Sequence, residues 1–323
     1  MFLFSLAIIV GLVFLVLSAD RFVAGAAAIA NNYGVPHIII GVTIVSLGTS
    51  APEIIAAILM SVEDRIEMAM GNALGSNIAN IGLVLGITAL VAPLPINKRL
   101  IRNEALIMML VTLLAGALLY NLKIGLIESL VLISGLIGFL TLIYVQHQSS
   151  DAEEDDEFED EIPNDMSTLK ALILFAAGLA VLIISARTLV WGATGIALEY
   201  GISDAIIGAT IIAIGTSLPE LAASVASALK KHHDIAIGNI VGSNIFNLLA
   251  VLAVPGLIAP NDFDQGLFFR DYLFMLGITA LLFAVLFVQS RRNAPMGRYI
   301  GMVFVLVYAL YGFIAYQQAP VIV

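Results

Sequence analysis

A glutamate stands in the middle of an apolar stretch long enough to cross a bilayer, and the chain carries the arrangement twice. Residues 41–80 read GVTIVSLGTSAPEIIAAILMSVEDRIEMAMGNALGSNIAN, and residues 208–247 read GATIIAIGTSLPELAASVASALKKHHDIAIGNIVGSNIFN. The two align without a gap, Gly41 on Gly208, with about 17 of the 40 positions identical. The shared letters are largely Gly, Thr, Ser, Pro, Glu and Asn. Such residues are costly in lipid, so their duplication marks a site rather than a common apolar composition.

In the first copy, Pro52 has no N–H, and its ring clashes with the carbonyl four residues back, that of Gly48. Carbonyls near Gly48 and Thr49 are thereby released from the helix ladder. Irregular backbone at membrane depth persists only inside protein or beside a polar cavity. Freed carbonyls, the hydroxyls of Thr49 and Ser50 and the carboxylate of Glu53 make a cluster of hard oxygens. Gly215, Thr216, Ser217, Pro219 and Glu220 repeat it. Thr43, Ser46 and Thr210 extend the polar side of the same helices.

The next stretch in each half adds a second polar stripe. Asn72, Ser76 and Asn80 are four residues apart and share one helix face, as do Asn239, Ser243 and Asn247. Asn80 and Asn247, the deeper pair, point to the site. For Asn72 and Asn239, ligation and interhelical hydrogen bonding are both open. Gly71, Gly75, Gly238 and Gly242 read as packing residues that let helices approach closely.

The two glutamates select the substrate class. Two acids facing each other in lipid repel unless a cation or a proton lies between them. Protonated structural acids are one reading. The other is a cation site, in which two carboxylates neutralise one divalent or two monovalent ions. Oxygen ligands without His or Cys disfavour transition metals. Mixed carboxylate, carbonyl and hydroxyl ligation suits Ca²⁺ better than Mg²⁺. Na⁺ takes similar oxygens, and competition of Na⁺ and Ca²⁺ for shared acids gives exchange directly.

The rest of the chain supplies the frame. Of 323 residues, 60% are hydrophobic and 12% charged, and mean hydropathy is +1.03. A soluble domain carries roughly twice that charge fraction. Ten apolar stretches are long enough to span: 3–30, 38–60, 68–92, 104–120, 124–145, 169–200, 205–229, 235–259, 272–289 and 299–316. The first has no basic leader and reads as a span rather than a signal peptide. The fold class expected is an all-α membrane protein of ten transmembrane helices. Residues 1–145 form one five-helix repeat, 146–168 an acidic cytoplasmic linker and 169–323 a second five-helix repeat. Most of the net charge of −10 lies in the linker, at residues 151–161. That run reads as a solvated connector and lacks the glycine and spacing of an EF-hand loop. The absence of Cys excludes disulfides and thiolate chemistry.

Five spans per repeat means that the second repeat enters the membrane from the opposite side. The copies are then related by a pseudo-two-fold axis in the membrane plane, an architecture of secondary transporters with the site at the midplane. The similarity reaches the first span of each half, where Ser18, Gly25 and Tyr33 match Ser185, Gly192 and Tyr200. Lys and Arg set the orientation. Loops after spans 3, 5, 7 and 9 hold Lys98, Arg99, Arg102, Lys170, Lys230, Lys231, Arg291, Arg292 and Arg298. Loops after spans 2, 4 and 8 hold Arg65, Lys123 and Arg270. The odd-numbered loops therefore face the cytoplasm of an inner-membrane protein, and both termini face the outer, periplasmic side. Asp20 and Arg187 align between spans 1 and 6, and either an ion pair between them or separate snorkelling of each to an interface is expected.

The doubled GTSxPE and GNxxGSNIxN motifs resemble those of the Ca²⁺/cation antiporter superfamily, and within it the bacterial and archaeal sodium/calcium exchangers. The resemblance covers essentially the whole chain. It implies two inverted five-helix repeats and four central ion positions. It also implies Ca²⁺ ligation by Glu53 and Glu220 with Thr49 and Thr216, largely through backbone oxygens of the threonines. The Na⁺ positions it implies add Ser50, Ser217, Ser76, Ser243 and the carbonyls of Ser46 and Ala213. Asn80 matches the family's central amide. Asn247 is a departure, since well-known archaeal relatives carry an Asp there. That difference puts the number of Na⁺ ions per Ca²⁺ in question, and with it any part for H⁺ or K⁺. The family also implies that spans 1 and 6 slide as a pair against a core of eight.

A proton-coupled Ca²⁺ antiporter is the alternative within transport, and a passive cation pore is a second. The vacuolar-type proton/calcium relatives use GNxxE in place of GTSxPE, which favours Na⁺. An intramembrane enzyme finds little support, because Ser50 and Ser217 have no His or Lys at motif spacing. His37, His147, His232 and His233 all lie in expected loops. No cofactor, nucleic acid or protein partner is expected beyond Ca²⁺, Na⁺ or H⁺ and the surrounding lipid, and the chain reads as a monomer.

Overall fold

A computed structural model describes residues 1–96, 101–149, 166–201 and 213–318, and every structural statement below concerns these. The acidic run 151–161, Lys98, Arg99 and Thr210 lie outside them. In lipid a backbone must satisfy its own polar groups, and the chain does so almost wholly with helices. These are α1 (Phe2–Tyr33), α2 (His37–Thr49), α3 (Ala51–Val62), α4 (Ile66–Val91), α5 (Asn103–Leu119), α6 (Leu126–Ser149), α7 (Thr168–Glu199), α8 (Ala213–Thr216), α9 (Leu218–Leu229), α10 (His233–Ile258), α11 (Leu267–Arg292) and α12 (Arg298–Gln318). Seven of them are long and apolar enough to cross a membrane, or eight if the bent pair α2 and α3 is one span.

Burial separates centre from rim. Of the apolar windows of α4 and α10, 72% and 83% are buried, against 28% for both α1 and α7. The first two form the centre of the bundle, and the others show large apolar side chains such as Leu12, Val16, Ile173 and Ile184 outward. One apolar cluster joins α4, α10, α5, α11 and α12, and a second lies under α1 and α7.

The long helices α1 and α7 run antiparallel in contact along their length, because glycine removes the side chain where the backbones meet. A Cβ on Gly25 would lie 2.6 Å from the Phe175 nitrogen and 2.9 Å from the Ala171 carbonyl oxygen. One on Gly178 would lie 2.7 Å from the Phe22 nitrogen. Each helix ends on a left-handed glycine or just before one, Gly34 at φ 62° and Gly201 at φ 72°. The loops after the two motif helices also repeat a backbone shape that their sequences hide. Asp64 and Lys231, at the same offset, both have positive φ.

Short ties join the loops. Strands β1 (Lys123–Ile124) and β2 (Asn261–Asp262) pair antiparallel, and Leu94 bridges Met296. The Asp264 amide donates to Glu67 at 3.1 Å. The Met1 ammonium contacts Glu199 at 2.8 Å, and Asn32 donates to the Met166 carbonyl at 3.0 Å. His37 and His232 rings lie 5.3 Å apart. The expected pair of Asp20 with Arg187 does not form. Asp20 instead binds Lys230, 2.7 Å away in the loop between α9 and α10. Lys230 reaches it because α1 packs on α9 as well as on α7.

Two outcomes follow from this packing. Gly25→Ala should force α1 and α7 apart and cost about 1–3 kcal/mol, read as a lower melting temperature in detergent. Gly277→Ala, with no atom near its added Cβ, should be neutral or gain up to about 1 kcal/mol from helix propensity. The second outcome concerns pH. Burial, then the charges of His37, Lys230 and His233, pull His232 down from the ordinary histidine value to about 4. Its folded value lies below its unfolded value of about 6.5. The neutral ring therefore contributes full stability above about pH 6.5 and loses it as pH falls toward 4. His232→Gln should flatten that part of a melting-temperature-against-pH curve.

Candidate functional site

Each GTSxPE motif breaks its helix at one serine. Between α2 and α3, Ser50 has φ −82° and ψ 0°, and the axis bends by 41°. Between α8 and α9, Ser217 has φ −89° and ψ 4°. In both, the proline sits in the first turn of the following helix, where its missing N–H costs nothing. Glu53 and Glu220 fall one residue later, in that same first turn, where the helix N-terminus favours negative charge. Local sequence therefore produces the break and aims the acid at it.

The breaks are held against the central helices by hydrogen bonds. Asn72 of α4 donates to the Glu53 carbonyl at 3.3 Å, and Asn239 of α10 donates to the Glu220 carbonyl at 3.4 Å. These matched contacts brace the acidic turn within each half. Other contacts cross between halves. The Thr49 hydroxyl donates to Asn239 Oδ1 at 3.1 Å and lies 3.5 Å from Ser243 Oγ. Ser50 Oγ donates to Glu220 Oε1 at 3.3 Å. Close approach of α2 to α10 makes this possible, since added methyls on Gly238 and Gly242 would press into the backbone of Ile38 and Val42. Segment 205–209, which matches residues 38–42 in the sequence, lies outside the described residues.

Ser46, Thr49, Ser50, Glu53, Ser76, Asn80, Ser217, Glu220, Ser243 and Asn247 are all buried. Thr216 is half-buried at the end of α8, and Ala213 opens that helix. Ser46 turns its hydroxyl back onto the Val42 carbonyl at 2.6 Å, and its own carbonyl accepts from Thr49 at 3.3 Å. Thr43 bonds back to the Ile39 carbonyl in the same way, at 2.6 Å. Ser76 has no hydrogen bond among the described residues that ties it to the acids.

Eight buried atoms of motif residues have no hydrogen-bond partner among the described residues. They are Glu53 Oε2, Asn77 Oδ1, Glu220 Oε2, Ser217 Oγ and both side-chain polar atoms of Asn80 and Asn247. Such atoms normally find partners, so their concentration on one motif indicates a ligand that supplies them. Asn80 and Asn247 each begin a π turn, Asn80–Leu85 and Asn247–Val251, and the Leu252 amide reaches the Asn247 carbonyl at 2.9 Å. Single π turns recur at functional sites because they displace carbonyls from the ladder. A cavity of about 280 Å³ touches both breaks, with Pro52, Ala56, Gly215, Thr216 and Pro219 on one wall and Arg187 and Trp191 of α7 on the other.

Two features escaped the sequence reading. Ser224 Oγ accepts from Asn239 at 3.0 Å, but its match in the first half is Ala57, so duplication gave no signal. A second buried acid pair, Glu104 and Asp271, does obey the offset of the motifs. Asp271 is closed by Arg270, at 2.8 Å for both oxygens, and by Tyr311 at 2.9 Å.

Removing the brace should show its weight. Asn239→Ala leaves the Glu220 carbonyl and Ser224 without their donor and should destabilise by about 1–3 kcal/mol. Thermal unfolding in detergent measures it, and an unchanged midpoint would contradict the brace.

The profile of the family described as sodium/calcium exchanger protein matches the chain twice, over residues 3–145 and 170–317. A putative antiporter, CaxA of Alkalimonas amylolytica, is 42% identical over 317 residues, covering 97% of this chain and 99% of the relative. Inner membrane protein YrbG of Escherichia coli K12 is 37% identical over the full length of both. Among solved structures, the exchanger NCX_Mj soaked with 2.5 mM Na⁺ and 0.1 mM Ca²⁺ superposes with a TM-score of 0.81 at 30% identity, covering 98% of this chain and 99% of that one. The chain belongs to the sodium/calcium exchanger protein family and is a membrane antiporter of cations.

Proposed function

We propose that this member of the family exchanges Na⁺ for Ca²⁺ across the cytoplasmic membrane, by alternating access to one midplane site built from the two motifs. The observation that carries the reading is the convergence of two buried carboxylates and unpartnered buried polar atoms from both halves. Glu53 and Glu220 would neutralise the ion. Thr49, Thr216, Ser50, Ser217, Ser76, Ser243, Asn80, Asn247 and the carbonyls of Ser46 and Ala213 would complete its oxygen shell. Ca²⁺ takes 6–8 oxygens in flexible geometry, which this mixed set suits. An empty site would leave two carboxylates facing each other in lipid, at a cost of about 2.5–3.5 kcal/mol per charge or more. A carrier that reorients readily only when loaded exchanges ions rather than leaking them.

Ten spans in two inverted repeats complete the reading. Two observations support them. One family profile matches each half. With ten spans, every tie between loops joins two of the same parity: loop 3 with 9 through Leu94 and Met296, and 4 with 8 through β1 and β2. Loop 2 likewise meets 8 through Glu67, and 1 meets 7 through His37. Both termini would then lie outside. The antiparallel pair α1 and α7, in tight mutual contact, is the unit that would slide.

Purified protein in Na⁺-loaded proteoliposomes, diluted into Na⁺-free buffer with ⁴⁵Ca²⁺ and a protonophore, should take up Ca²⁺. Glu53→Gln and Glu220→Gln should each reduce uptake by more than the roughly 10–100-fold that losing a supporting partner costs a metal site. Uptake that ignores Na⁺ and follows an imposed pH gradient once the protonophore is omitted would replace Na⁺ by H⁺ as the driving ion.

A further inference from the structure

The charge of the site bears on how many ions it can hold. Its four central side chains are two carboxylates, Glu53 and Glu220, and two amides, Asn80 and Asn247, all at most 1% exposed. The amides have unpartnered oxygens to give an ion but no charge to balance it. The other buried carboxylates among the described residues, Glu104 in the first turn of α5 and Asp271 near the start of α11, stand off the motif helices, and Asp271 is closed by Arg270. The cavity beside the site contributes Arg187, which is positive.

From this balance, and resting on the exchange reading above, we propose that the transporter is electroneutral and moves two Na⁺ for each Ca²⁺, with Asn247 and Asn80 setting that ratio. The occluded site lies in the low-dielectric middle of the membrane and is favoured there when close to neutral. Its charge of −2 is cancelled by one Ca²⁺ or by two Na⁺. A third Na⁺ would leave an uncompensated positive charge, and Arg187 nearby would add to the repulsion. Two ions enter one face as one leaves the other, and no net charge moves.

Coupling ratio and voltage dependence are measured together in proteoliposomes of the wild-type protein. The Na⁺ gradient is varied while valinomycin and K⁺ clamp the potential. The steady-state Ca²⁺ ratio should follow the square of the Na⁺ ratio and should not change with potential. A cubic dependence would overturn the proposal, as would a shift of the Ca²⁺ ratio of about 50-fold for each 100 mV, which one moving charge requires. Uptake without any Na⁺ dependence would overturn the exchange reading and this ratio with it. Na⁺-driven but voltage-sensitive uptake would overturn the ratio alone. Asn247→Asp adds the missing charge and should bring in both voltage sensitivity and a steeper Na⁺ dependence. An active Asn247→Asp variant that stays electroneutral would remove Asn247 from the role.

Discussion

Two carboxylates held in one buried place, at membrane depth, constrain most of this structure. Neither Glu53 nor Glu220 can be ionised there without something to receive its charge. The fold answers with broken helices, whose first turns carry the acids, and with polar atoms from both halves that find no partner among the described residues. The same constraint explains the concentration of Gly and Asn in the central helices. Hydrogen bonds as long as 3.1–3.5 Å across the halves form only if backbones come together. Gly238 and Gly242 provide that approach, as Gly25 and Gly178 do for the outer pair.

The arrangement also separates two mechanical parts. Around α4 and α10 the apolar cluster is extensive and the loops are tied to one another. The pair α1 and α7 is bound chiefly to itself, with Asn32 and the Met1 ammonium joining the two at opposite ends. Its polar link to the rest is the Asp20–Lys230 ion pair, whose side chains are 48% and 33% exposed. A pair that exposed is worth little, of the order of 0–1 kcal/mol, and is easily exchanged for water. The structure is thus divided between a packed centre and a lightly held pair.

Much of this was legible in the sequence, for a specific reason. Duplication turns polar residues in lipid into a signal, because each is written twice. Glu53 and Glu220, the serine breaks, and the deep pair Asn80 and Asn247 were all visible in that way. What duplication does not encode is which half a side chain answers to. Asn72 braces its own half, Asn239 braces its own and also accepts from Thr49 across the halves, and Ser50 reaches across to Glu220, and spacing along a helix cannot separate these. Asymmetric contacts were hidden too. Ser224 has no counterpart, and Asp20 found Lys230 rather than its aligned Arg187 because helix packing, not the offset, decides proximity. The π turns at Asn80 and Asn247 have no composition of their own, so they emerged only with the backbone.

The contacts that cross between halves have a consequence for biosynthesis. Thr49 meets Asn239 and Ser243, which follow it by 190 and 194 residues. A ribosome adding about 5–20 residues per second needs roughly 10–40 s to make them. For that interval the first half sits at the membrane with its acid and hydroxyls lacking their native neighbours. The nascent chain therefore passes through a state in which insertion is well advanced and the polar centre is still half built. Until the second half arrives, Glu53 must be kept neutral by a proton or remain in contact with water.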